Sequence, residues 1–267
     1  MTSTAVTPTM DDVLGDRRWL VLTGAGVSTD SGIPDYRGPG APVRRPMTIA
    51  DFRRTDAARQ RYWARAYLGW SAMGTATPNN AHRILAGLES SGRLSGLMTQ
   101  NVDGLHRAAG HRDVVDLHGR LDSVICLGCS ATSSRSDLQR RLAVLNPGFS
   151  ADHLVVLPDG DIALEETSTF TPATCEHCAG ELKPDVIFFG ENVPVERVRH
   201  CQDLVDEAEA LVVLGSSLHV FSGRRFVKQA YARGIPIVIV NRGETRGDAM
   251  ATLKLDLGCA EVLAAYA

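Results

Sequence analysis

The stretch WLVLTGAGVSTDSGIPDYR, Trp19 to Arg37, decides how the rest of the chain is read. Its first five residues form an apolar run closed by Gly24, and a run apolar at every position suits a strand buried on both faces of a sheet. The same device recurs at Leu97–Thr99, Val114–Leu117, Val186–Phe189, Leu211–Leu214 and Ile235–Val240. Stretches with helical periodicity, such as Ala81–Leu88 and Glu196–Ala210, separate several of these runs. This alternation predicts an α/β fold with a doubly wound, Rossmann-like parallel sheet. In such a sheet the carboxyl ends of the strands share one edge, and ligands bind in the crevice there. The residues that follow the runs are therefore predicted to line one cleft: Gly24-Ala25-Gly26, Gln100-Asn101-Val102-Asp103, His118-Gly119, Gly190-Glu191-Asn192, Gly215-Ser216-Ser217 and Asn241-Arg242-Gly243.

Two stretches break the rhythm. A Pro- and Arg-rich loop from Gly38 leads into a helical segment, Thr55–Trp70, and Cys126–Cys178 brackets a long region with its own helix at Ser136–Val144 and a hairpin turn at Asp159-Gly160. Both read as insertions forming a smaller lobe. The expected division is a flexible start over 1–15, a Rossmann-like domain over 16–122 and 184–267, a cysteine-bracketed module over 123–183, and a helical insertion over 41–78 that completes the small lobe.

With 267 residues, 44% of them hydrophobic and 22% charged, the chain can bury a core and is not a disordered segment. The 28 basic residues oppose 31 acidic ones, and all but Lys183, Lys228 and Lys254 are arginines scattered along the chain, which argues against a nucleic-acid partner. No apolar run approaches the roughly 20 residues of a membrane span, and residues 1–10 lack a basic start and an apolar core of a leader. A cytoplasmic monomer is expected.

Gly24-x-Gly26 after a strand lets backbone approach an anion at a helix start. The third glycine of the dinucleotide fingerprint would fall at Thr29, which disfavours a hydride-transfer dehydrogenase. The continuation through Ser28, Ile33, Asp35, Tyr36 and Arg37 has the content of a loop closing over a charged ligand. Cys126-x-x-Cys129 and Cys175-x-x-Cys178 can together bind one tetrahedral metal ion with no position open for catalysis. Redox pairs are the alternative, and His177 could substitute as a ligand. A small lobe without its own core needs such a staple. Cys201 has no partner pattern and reads as a buried helix residue.

His118 ends an apolar run in the predicted crevice, and an imidazole with a pKa near ~6.5 can accept a proton at neutral pH. Asn101 and Asp103, two apart, would share a face of an extended segment. Trp63, Ala66, Tyr67 and Trp70 form a helical stripe that is most simply core. Tyr62 and Arg65, three apart on a neighbouring face, are either a solvated flank or a site where the Arg fork meets a carboxylate. Glu191, Asn192 and Val193 could form an extended edge for a peptide.

Residues 24–37 taken whole resemble the signature of the sirtuins, NAD-consuming protein-lysine deacylases. The motifs around Gln100, Leu117-His118-Gly119, the cysteine pairs, Phe189-Gly190-Glu191, Gly215-Ser216-Ser217-Leu218, Val240-Asn241-Arg242 and Leu257-Gly258-Cys259 follow in the family's order. The segment from Arg59 to Trp70 is similar to the class II branch that includes the mitochondrial lipoamidase type, while the Tyr62-x-x-Arg65 spacing is similar to that of desuccinylating members; Tyr36 replaces the commoner Phe. The resemblance implies NAD as co-substrate, one structural zinc ion and acyl-lysine proteins or peptides as partners. It implies His118 as general base, with Asn101 positioning the reacting groups. In the family's reaction the acyl oxygen attacks C1′ of the nicotinamide ribose, nicotinamide leaves, and the histidine activates a ribose hydroxyl that attacks the resulting imidate. Water completes the transfer, giving free lysine and O-acyl-ADP-ribose. Asp103 and Ile33 are implied at the nicotinamide, Gly215, Ser216 and Ser217 at phosphate and ribose, Asn241 and Arg242 at the adenosine ribose, and the backbone around Cys259 at the adenine. Glu191–Val193 and a loop near Leu218–Phe221 are implied to sandwich the peptide. Two other functions compete with deacylation: mono-ADP-ribosyl transfer to protein, and a non-catalytic NAD-binding scaffold.

Overall fold

The computed structural model describes residues 8–38, 46–150, 159, 164 and 166–267. In chain order the strands are β1 (Trp19–Thr23), β2 (Leu94–Thr99), β3 (Val114–Asp116), β4 (Gly119–Cys126), β5 (Thr132–Ser134), β6 (Leu182–Val186), β7 (Ala210–Leu214), β8 (Ile237–Val240) and β9 (Leu253–Leu255). The α-helices are α1 (Met10–Leu14), α2 (Ile49–Arg54), α3 (Asp56–Met73), α4 (Asn80–Ser90), α5 (Leu105–Ala108), α6 (Arg135–Leu145), α7 (Val195–Glu207), α8 (Phe221–Arg233) and α9 (Cys259–Leu263).

Six strands form the expected parallel sheet in the order β3-β2-β1-β7-β8-β9. β1 and β7 lie at its centre and are buried along their whole length. Alternate side chains feed two separate cores: Trp19, Val21, Val212 and Leu214 on one face, Leu20, Leu22, Leu211 and Val213 on the other. Each fully buried aliphatic side chain contributes about 1.5–3 kcal/mol. The order reverses beside β1, with β2 on one side and β7 on the other, and a crevice opens there at the strands' carboxyl ends. β9 was not expected; three residues at a sheet edge leave no periodicity to read.

The second sheet is small and antiparallel, in the order β5-β4-β6. It corrects the expectation that Val186–Phe189 is a strand of the parallel sheet. The chain pairs with β4 up to Val186 and then leaves, because Ile187 N–H donates to the His118 carbonyl and Phe188 turns into the small lobe's core. The sheet also extends a few residues beyond both ends of the expected 123–183 module, from Gly119 to Val186. Around it, α3 presents Trp63, Ala66, Tyr67 and Trp70 to the lobe's core, as its stripe predicts. The buried guanidinium of Arg135 locks α6 to α3: it donates to the Ala66 carbonyl at 2.9 Å and lies 4.9 Å from the Trp70 ring centroid.

Within the 1–15 segment, residues 8–15 are described and include a short helix. Thr9 and Asp12 form a capping box on α1, whose Met10 and Leu14, four apart, are buried in the core. The hairpin turn expected at Asp159-Gly160 lies outside the described residues, Asp159 excepted, as do parts of the 41–78 insertion. No helix among the described residues is long and apolar enough to cross a membrane.

Candidate active site

A cavity of about 630 Å³ opens between the sheet edge and the small lobe. It gathers the residues that follow β1, β2, β7 and β8, together with His118 and the segment 186–193. Close backbone approach builds its floor. A Cβ at Gly24 would sit 2.8 Å from the Gly215 carbonyl, and one at Gly26 would sit 2.9 Å from Gly215 Cα, so the β1 and β7 turns touch only because these residues are glycines. Ser216 and Ser217 complete that wall, and the Gln100 side chain donates to Ser216 Oγ at 2.7 Å.

His118 stands where β3 has ended and β4 begins. Its Nδ1 lies 2.9 Å from the Gln100 carbonyl, which can only accept, so Nδ1 carries the proton and the lone pair of the neutral ring is on Nε2. Nε2 lies 2.7 Å from Ser222 Oγ, which then donates to it. Burial pushes the His118 pKa below the ordinary imidazole value, although the Gln100 carbonyl pulls the other way. The ring is thus held neutral, in one tautomer, at neutral pH. The following Gly119 has φ +77°, and a Cβ there would collide with the Asp185 carbonyl. Only glycine lets β4 start against β6 directly after His118.

Asn101 and Asp103 are brought together as their spacing predicts. Asn101 Nδ2 donates to the Gly24 carbonyl and to Ser28 Oγ, both at 3.1 Å. Ser28 Oγ in turn donates to Asp103 Oδ2 at 2.7 Å, while Asp103 Oδ1 accepts from Leu105 N at 2.9 Å. Burial raises the Asp103 pKa against these hydrogen bonds. Ile33, itself buried, lines the same part of the cavity.

Ala25, Asp35, Tyr36, Arg37, Asn241, Arg242 and Gly243 also line the cavity. The Asp35 carboxylate is occupied locally, accepting from Arg37 N and Gly38 N at 3.2 and 2.6 Å, so it shapes the loop. Tyr36 meets Phe189 edge-on at 6.3 Å, joining that loop to the 187–193 segment. The Arg242 guanidinium lies against Gly258, where a Cβ would come within 2.7 Å of Nη2.

Two expectations change. Cys259 is not among the described residues lining the cavity; its thiol packs into the core, where burial raises its pKa to about 12, and the expectation at the adenine concerned its backbone. Arg65 does not line the cavity either. Its Nε and Nη2 both donate to the Leu164 carbonyl, at 2.9 and 2.8 Å, so the fork holds backbone. Tyr62 is not a solvated flank: it is buried against Phe52 and Phe188, with an edge on the cavity. Glu191, Asn192 and Val193 line the cavity as expected, but the Glu191 carboxylate is a brace. It accepts from Phe188 N at 3.0 Å and pairs at 3.1 Å with Lys183, a buried ammonium that also donates to the Val186 carbonyl at 2.5 Å. Lys183 and Ser222 escaped sequence reading. Nothing local marks either one, since their partners lie 8 and 104 residues away.

Cys126, Cys129, Cys175 and Cys178 converge in the small lobe with all four Sγ atoms within 4.8 Å of one another. The closest pairs, Cys126–Cys178 and Cys129–Cys175, are 3.5 and 3.7 Å apart, near the about 3.8 Å edge of a tetrahedral zinc–thiolate site. Gly128 and Gly180 flank the sulfurs, and a Cβ at Gly180 would approach two of them at 3.0 and 3.1 Å. Backbone N–H groups of Cys129 and Gly128 point at Cys126 and lower its pKa to about 6, favouring the thiolate that a metal needs. The donor set and its cradle fit a structural zinc ion, and His177 is not part of the cluster.

The model of the Sir2 family matches residues 24–222. The chain is 54% identical over 268 residues to NAD-dependent protein deacetylase 1 of Mycobacterium avium (strain 104), covering 98% of this chain and 95% of that one. It is 47% identical over 254 residues to the human protein named NAD-dependent protein lipoamidase sirtuin-4, mitochondrial, covering 92% and 81%. The solved structure described as Sir2-p53 peptide-NAD+ superimposes with a TM-score of 0.76 at 33% identity, covering 94% of this chain and 92% of that one. Since the family model spans most of the chain and relatives about half identical cover nearly all of it, the chain belongs to the Sir2 family.

Proposed function

We propose that this chain is an NAD-dependent protein-lysine deacylase that passes the acyl group to ADP-ribose and releases nicotinamide. The observation that carries the reading is the state of His118: a buried imidazole on the cleft wall, fixed by the Gln100 carbonyl in the tautomer whose lone pair is on Nε2. A binding scaffold needs no such base. NAD supplies the glycosidic bond whose breaking activates the acyl-lysine and the ribose hydroxyl that receives the acyl group. His118 Nε2 takes the proton from that hydroxyl. The Gly24–Gly26 turn, Gly215, Ser216 and Ser217 hold phosphate and ribose through backbone N–H and hydroxyl groups. Asn101, Ser28 and Asp103 form one hydrogen-bonded unit at the nicotinamide end, with Ile33 as its apolar neighbour. Tyr36 and Phe189 exclude water across the mouth. The four cysteines hold zinc away from the reaction. A monomer in the reducing cytoplasm is part of the same reading.

Met47, Tyr62, Leu121 and Phe188 give the cavity an apolar wall on the small-lobe side, while Arg65 is turned to Leu164. This favours a neutral acyl chain over a dicarboxylic one. The test is nicotinamide release with NAD, with and without a panel of acetyl-, lipoyl-, biotinyl-, succinyl- and glutaryl-lysine peptides. Release that depends on a neutral acyl-lysine supports the proposal. Release with protein modification in the absence of acyl-lysine would replace it with mono-ADP-ribosyl transfer, and no release with any peptide would leave only a scaffold.

A further inference from the structure

The first two turns of α8 carry Phe221, Arg224, Arg225 and Lys228, spaced i, i+3, i+4, i+7 and therefore on one face. Phe221 is 51% exposed. The Arg225 guanidinium carbon lies 5.1 Å from its ring centroid, and Arg224 and Lys228 each lie at 5.9 Å. Three cations around one ring repel one another, and among the described residues none of the three is ion-paired to a carboxylate. The buried Nε atoms of Arg224 and Arg225 have no hydrogen-bond partner. The helix makes the crowding worse. Cations disfavour the amino-terminal end of a helix dipole, and α8 has no acidic residue in its first turn to offset them. A cluster so placed costs stability, and an arriving anion would relieve it.

The face continues the substrate cleft. Phe221 and Arg225 line the cavity that holds His118, and Ser222 between them bonds the base itself. Asn192 and Val193 line the same cavity. A protein segment bound between these walls passes directly over the α8 face. We propose that this face selects protein substrates by charge, favouring acyl-lysines that have aspartate or glutamate beside them in the bound segment. The inference rests on the deacylase reading for its substrate class. The Phe221 ring packs on the apolar stem of the acidic side chain, and the two guanidinium groups and the ammonium take its carboxylate. A nucleic-acid backbone fits less well, because the patch spans only two helical turns on a chain of net charge −3.

The experiment compares two acetyl-lysine peptides differing only in flanking Glu against Gln. At low salt the native protein should turn over the Glu peptide with kcat/KM higher by about five- to tenfold, through KM, and high salt should erase the difference. The double variant Arg224→Gln/Lys228→Gln, outside the described cavity lining, should lose that preference and keep its activity on the Gln peptide within about twofold. Equal turnover of both peptides by the native protein at low salt overturns the proposal, as does an equal loss on both peptides in the variant. Fluorescence anisotropy of the same labelled peptides reads the surface independently of turnover, so a failure of the deacylase reading stays distinguishable. Tighter binding of the Glu peptide that the double variant abolishes supports the proposal. Equal affinities overturn it, as does an oligonucleotide that displaces the Glu peptide at lower concentration.

Discussion

The two lobes are held together by different physics. The large lobe closes two apolar cores over a parallel sheet, and its central strands β1 and β7 are buried on every residue. The small lobe's sheet has three strands, one of which, β5, has exposed residues at both ends, and its core counts two metal-type cysteines among its buried members. Burial suffices for the first. The second, expected to lack a core of its own, does have one, built on residues such as Phe52, Trp63 and Phe170, and adds to it a thiolate cluster and polar locks such as Arg135 and Lys183–Glu191. On the proposed deacylase reading the division suits the chemistry: the sheet edge presents His118 and the Gly24–Gly26 and Gly215–Ser217 turns, and the small lobe supplies the opposing wall of the cleft.

The sharpest way to break this comparison is to remove the metal. Structural zinc in small modules contributes about 10–16 kcal/mol of apparent binding free energy. Cys129→Ser, or a strong chelator, should therefore release zinc and unfold the region around β4–β6, while hydrogen exchange in β1 and β7 stays slow. A folded, fully active Cys129→Ser protein would contradict the division. His118→Ala should do the reverse, lowering kcat/KM by about 10²- to 10⁴-fold with little change in melting temperature. Retained turnover would remove His118 from the mechanism.

Lys183→Met should leave the Glu191 carboxylate without its ammonium. Removing one partner of a fully buried pair costs about 3–5 kcal/mol; the Glu191 side chain is 25% exposed, so the loss here should be smaller. The melting temperature should fall, and KM for the acyl peptide should rise more than KM for NAD, because the freed segment 187–193 lines the peptide side. Equal effects on both KM values would reduce the pair to a purely structural lock.

A further probe acts on the large lobe through pH. His82, His106 and His111 are buried in a row with ring centroids 4.8 and 5.3 Å apart, and burial lowers the pKa of each, to about 4 for His82. A folded-state pKa below the unfolded one means that the unfolded chain binds the proton first. Stability should be full above about pH 6.5 and fall as the pH drops from there toward 4, by roughly 3 kcal/mol for His82 alone. His82→Gln should flatten that slope in acid-denaturation curves, and an unchanged slope would contradict the assignment. The smallest effect is expected at Arg65. Since its fork holds the Leu164 carbonyl, Arg65→Met should leave the ratio of succinyl- to acetyl-lysine turnover unchanged; a selective loss of succinyl turnover would return Arg65 to the acyl site.

Much of this was legible in the chain itself. Apolar runs such as Trp19–Thr23 and Leu211–Leu214 can only be satisfied between two layers, so they determined a buried parallel sheet, and parallel strands bring the residues that follow them to one edge. The glycines of 24–26 and the two C-x-x-C pairs carry their chemistry in local spacing, which sequence alone determines. Other features depend on partners far apart in the chain. Val186–Phe189 is as apolar as a central strand, and only its pairing with β4 decided that it belongs to the small sheet's end and the cleft wall. The helical spacing of Tyr62 and Arg65 put them on a shared flank, but tertiary packing sent one against Phe52 and the other to Leu164. The tautomer of His118 and the ion pair of Lys183 were likewise decided in the folded state, because a hydrogen bond depends on where its partner ends up and not on how near it lies in the chain.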